Sequence, residues 1–95
     1  MNDYEYYYGD GTINAFSGTN IKDPEAIKFI NSIKSRRFRQ IIRHKFETES
    51  YFNYYTLNNF KEDFKKYLND KNNNYYFLPG LNDRYEDILK KLLNI

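Results

Sequence analysis

Apolar residues recur along this chain at helical spacing in some stretches and at strand-like spacing in others. Ala26, Ile27, Ile30 and Ile33 begin a stripe with a period near 3.6, and Phe38, Ile41, Ile42 and Phe46 resume it. The second set is rotated by roughly 100° from the first, which predicts two helices, or one bent helix, changing direction near Ser35. Asp23, Pro24 and Glu25 supply the start: an Asp cap, Pro at the first helical position and an acid in the first turn. Behind Thr56 as a cap, Leu57, Phe60, Phe64, Tyr67 and Leu68 make a one-face helical pattern. A last helix starts at Asn82 or Asp83, with Tyr85, Ile88, Leu89 and Leu92 as its buried face.

Three other stretches read as strands. Residues 4–8 and 12–16 are rich in β-formers and flank Gly9-Asp10-Gly11, where positive φ is easy, so they predict a hairpin. Residues 51–55 are short and aromatic, and residues 75–78 are stopped by Pro79-Gly80. No internal repeat or linker interrupts the pattern. The expected fold class is α+β: a single small domain over residues 1–95, with three to four helices packed on a short antiparallel sheet that includes an N-terminal β-hairpin.

Composition sharpens this picture. Asn, Lys, Ile, Tyr and Phe account for 51 of 95 residues, and a mean hydropathy of -0.94 coexists with 20% aromatic residues. Aromatic rings bury large areas, so the chain has the material for a core despite its polarity. All five abundant types have AT-rich codons, which points to an AT-rich genome. The absence of cysteine excludes disulfides and thiolate metal sites. A formal charge of +2 is well short of a strongly basic nucleic-acid module. The first residues are acidic and aromatic, unlike a signal peptide, and no run of about 18 apolar residues occurs. The expectation is an intracellular protein, cytoplasmic or in a host's cytoplasm, without a membrane span.

Catalytic chemistry finds little support. His44, the single histidine, stands between Arg43 and Lys45 and makes a poor general base. Asp83, Glu86 and Asp87 are explained by capping at a helix start. Glu62 and Asp63 beside Lys65 and Lys66 fall on a helix, at spacings that make surface ion pairs. No catalytic residue, metal site or cofactor is expected, and the chain reads as a non-enzyme.

Two features rise above this background. Residues 34–45 carry six cations and no acid, and Arg36, Arg39 and Arg43 share one helix face opposite Phe38, Ile41 and Ile42. That stripe, if left in water, would grip phosphates or an acidic protein surface. The tyrosine runs are the other feature. Alternation along a strand would put Tyr7, one of Tyr54 and Tyr55, and one of Tyr75 and Tyr76 on an open face suited to protein docking. The favoured expectation is therefore a non-catalytic protein that docks on and inhibits or modulates another protein, a host factor or nucleoprotein complex. Its class would be that of the inhibitors which phages and mobile elements direct at host defence proteins, anti-CRISPR proteins among them. The alternative is a small helix-turn-helix or winged-helix protein that binds DNA or RNA through helix 36–46, with the hairpin as a wing.

Overall fold

The computed structural model describes residues 3–73 and 75–95. Met1, Asn2 and Asn74 lie outside them. Among the described residues every regular element is helical: α1 (Asp3–Tyr8), α2 (Pro24–Ser32), α3 (Arg36–Phe52), α4 (Leu57–Asn69), a 3-10 turn (Lys71–Asn73) and α5 (Asp83–Leu93). The chain divides into two compact units, one ending at Leu57 and the other beginning at Asn58. The α+β expectation is overturned, because the described residues contain no sheet and the N-terminal hairpin does not form.

Helix starts follow local chemistry. Asp23 is the N-cap of α2 and accepts from Glu25 N, with Pro24 opening the helix. Ser35 caps α3 by accepting from Phe38 N, so the expected change of direction is a turn between two helices. Asn82 caps α5 by accepting from Tyr85 N, and Asn94 ends it in the left-handed region. In the N-terminal unit Ala26, Phe29, Ile30 and Ile33 meet Phe38, Ile41, Ile42 and Phe46 as the buried apolar set. Phe46 makes edge contacts with Phe29 and Tyr55.

The missing hairpin has a physical explanation in α3. Residues 4–8 coil into α1, and the positive φ of Gly9 ends that helix. Gly11 N then donates to Tyr8 O, and Thr12 N to the Asp10 side chain. From residue 9 to 20 the backbone needs partners that a second strand would have given. Side chains provide them instead. Gln40 donates to Gly9 O, Arg39 Nε to Asp10 O at 2.7 Å, and Arg43 to Thr12 O and Gly18 O at 2.8 and 3.1 Å. The Asn31 amide bonds both the N–H and the C=O of Ile13, each at 2.9 Å, as a neighbouring strand would.

The other two expected strands are also absent. α3 continues through residues 51 and 52 to a C-cap at Asn53, whose N–H donates to Glu49 O, and an i,i+4 pair between Lys45 and Glu49 at 3.2 Å supports its later turns. Residues 75–78 carry no regular secondary structure. In the C-terminal unit Phe77 and Leu78 are buried, and Phe77 stacks with Phe64 and Tyr67 at centroid distances of 5.6 and 5.9 Å and lies tilted against Phe60 at 5.1 Å. The buried leucines of α5 are Leu89 and Leu93, while Leu92, expected inside, is partly exposed.

Candidate functional site

α3 has two working faces. One is apolar; the other holds Arg39, Gln40, Arg43, His44 and Glu47 at helical spacing and faces residues 8–20. Arg43 is only 3% exposed. Its planar fork reaches two carbonyls six residues apart in the loop, and its Nε lies 3.6 Å from Glu47 Oε1. Glu47, also buried, accepts from the Thr19 hydroxyl and, at 3.1 Å, from Asn20 N. Tyr8 hydrogen-bonds His44 Nδ1 at 3.1 Å and offers its ring to Arg43 at 5.2 Å. Asp10 is held below the ordinary aspartate range by hydrogen bonds from Thr12, first the backbone N–H and then the side chain, with Arg39 and Arg36 acting in the same direction.

This geometry alters the basic stripe. Arg36 is exposed, Arg39 is half-buried against Asp10 O and Ile33 O, and Arg43 is buried under the loop. The three share a face, as the spacing predicts, but that face is covered beyond its first turn instead of lying in water.

The tyrosines divide differently. Tyr7 is exposed on α1, in edge contact with exposed Tyr6 at 4.9 Å. Tyr54 is exposed whereas Tyr55 is buried against Phe46. Tyr75 and Tyr76, in the C-terminal unit, are both exposed, Tyr76 the more so.

Three residues that the pattern reading passed over complete the N-terminal surface. Phe16, expected on a strand, is 98% exposed at the apex of a turn, where Ser17 N donates to Asn14 O and Phe16 N to the Asn14 side chain. Tyr51 and Phe52, expected on a strand, project from the end of α3 in edge contact at 5.0 Å. With Tyr8, Asn20, Glu47 and Thr48 they line an open groove of about 260 Å³. The signal for Phe16 was present in Asn14, Ser17 and Gly18, which are turn residues before they are strand residues. A composition signal accompanies all three: residues 11–21, 50–60 and 72–82 contain no Asp, Glu, Lys or Arg, and each run carries exposed aromatic side chains.

Among the described residues no group of three His, Cys, Asp or Glu side chains gathers as a metal ion would need, and no helix is long and apolar enough to cross a membrane. Comparison with protein-family models, with curated proteins and with solved structures finds no match for this chain.

Proposed function

We infer that this chain is a non-catalytic docking protein that inhibits or modulates another protein, through the aromatic surface of its N-terminal unit. The observation that carries the reading is the exposure of Tyr6, Tyr7, Phe16, Tyr51, Phe52 and Tyr54 on a unit whose core is already filled by phenylalanine and isoleucine. Charge-poor aromatic surface is the composition of interface cores, and tyrosine loses little rotamer freedom on binding. The AT-rich composition and small size fit an inhibitor carried by a phage or mobile element and aimed at a host protein. The test uses the purified chain as bait, identification of the retained protein by mass spectrometry, and titration calorimetry with that protein. Tyr7→Ala and Tyr54→Ala are expected to weaken the complex by about 1 kcal/mol or more. A bait that retains nothing specific, or variants that bind as well as the parent, would sink the reading.

A second reading keeps one specific observation. Residues 33–35 form a three-residue turn between α2 and α3, and Arg36 and Arg37 are exposed at the start of the second helix, where a helix-turn-helix protein meets nucleic acid. Docking on protein leads because Arg39 and Arg43 are engaged with loop carbonyls. A duplex probe whose retention falls with salt and is lost in Arg36→Ala/Arg37→Ala would reverse that order.

A further inference from the structure

The loop between α1 and α2 combines two properties that rarely coincide: it is fixed at many points and it lifts a bare aromatic ring into solvent. Ile13 and Ile21 are buried at its two ends. Along the loop Asn31 holds both polar groups of Ile13, Arg43 holds Thr12 O and Gly18 O, and Glu47 holds Thr19 and Asn20. The apex is closed on itself by Asn14 and Ser17, each accepting a backbone N–H of the turn. Phe16 is thus displayed on a braced support, with 98% of its surface in water.

We propose that Phe16 is a preformed anchor that seats in an uncharged apolar pocket of the partner protein. The proposal rests on the docking reading above and names the element that leads the contact. Three observations favour it. A braced loop leaves little ordering entropy to lose on binding, which is the condition under which one inserted side chain contributes strongly. Residues 11–21 carry no charge, so the surface that meets them is apolar with a rim of hydrogen-bonding groups for Asn14, Ser17 and Asn20. Phe16 is also near the groove: it lies four positions before Asn20 on the groove wall, a reach of at most about 14 Å. A standard interface of about 800 Å² per partner is wide enough to cover Phe16, Tyr51 and Phe52 together. No Lys or Arg stands among residues 11–21 to meet an anionic lipid surface, which favours a protein pocket over a membrane.

The experiment uses the full chain with a photo-crosslinking p-benzoylphenylalanine at position 16 and, separately, at position 51, exposed to lysate of a candidate host. The protein crosslinked from both positions is purified and its affinity measured for the parent chain, Phe16→Ala and Tyr76→Ala. Phe16→Ala is expected to weaken binding about tenfold or more while its melting temperature stays that of the parent, since the ring has no native contacts to lose. Crosslinking from position 51 with Phe16→Ala binding within twofold of the parent overturns the anchor and leaves the docking reading standing. No partner at either position removes both. A blue shift of Phe16→Trp fluorescence on vesicles of phosphatidylcholine and phosphatidylglycerol, in place of any protein complex, assigns the loop to membranes and overturns the proposal.

Discussion

The loop before α2 and the loop before α5 each contain a charge-free run with exposed aromatic rings, residues 11–21 and 72–82, yet they are held by opposite means. In residues 9–21 the backbone is caught by polar side chains from α2 and α3, and the conspicuous aromatic ring points away. In residues 75–78 the rings themselves do the holding, with Phe77 packed among Phe60, Phe64 and Tyr67. Dispersion and area burial depend weakly on direction, whereas a guanidinium bonded to two carbonyls depends on reach and angle. The first loop should therefore be intolerant of conservative change and the second should accept it.

The largest effects test that contrast directly. Arg43→Met leaves Glu47 buried without its cation and two loop carbonyls unbonded, and is expected to cost about 3–5 kcal/mol in urea denaturation. Phe77→Ala should cost a similar amount, about 3–5 kcal/mol, by opening a cavity. The conservative pair separates them: Arg43→Lys is expected to lose about 2 kcal/mol or more, because one ammonium cannot span both carbonyls, while Phe77→Leu loses about 1–2 kcal/mol. An Arg43→Lys protein as stable as the parent would break the comparison.

Glycines give the next step down. Gly11 has φ +86, and a Cβ there would stand 3.0 Å from Arg39 Cγ and from Gln40 N, so Gly11→Ala combines backbone strain with a wedge against α3. Gly80 has φ +69 with nothing within 4 Å of a Cβ. Thermal melts should place Gly11→Ala about 2–3 kcal/mol below the parent and Gly80→Ala about 1 kcal/mol below it.

Smaller still are the pH limbs. Asp10 titrates below its ordinary range when folded, so its contribution is present above about pH 4 and is lost as pH falls through the folded value. Asp10→Asn should flatten the acid limb of stability. Lys71 is raised by its hydrogen bond to Glu86, at 2.5 Å, so its contribution is present below about pH 10.4 and is lost as pH rises through the folded value. Lys71→Met should flatten the alkaline limb alone. Smallest of all, Tyr7→Ala, Tyr54→Ala and Tyr76→Ala should each leave stability within about 0.5 kcal/mol of the parent.

What was legible in the sequence follows from range. Caps act within three residues of themselves and apolar stripes are periodic, so the Asp23 start, a start at Asn82 or Asp83 and a change of direction near Ser35 could be read directly, whereas the choice between a turn and a bend at Ser35 could not. The hairpin could not be read correctly. Its backbone partners are side chains 18 to 31 positions away, and tyrosine's strand preference yields wherever the surroundings supply other contacts. The shared face of Arg36, Arg39 and Arg43 was legible for the same reason as the helices. Its cover was not, because nothing local tells a solvated arginine from one bonded to a distant carbonyl. Tyr54 is exposed and Tyr55 buried, so one of the two neighbours faces solvent although no strand forms.

The Arg43 fork joins α3 to loop carbonyls 25 and 31 residues away in sequence, and that separation has a consequence in time. Those bonds can close only after α3 exists and has docked on α2, since each demands a formed helix face and a long loop closure. The loop is therefore expected to order late in the folding of its unit, with φ-values near zero at Thr12 and Gly18. A partner that grips Phe16 would reinforce this late-closing loop, and its binding would be read as slowed exchange at amides that it never touches.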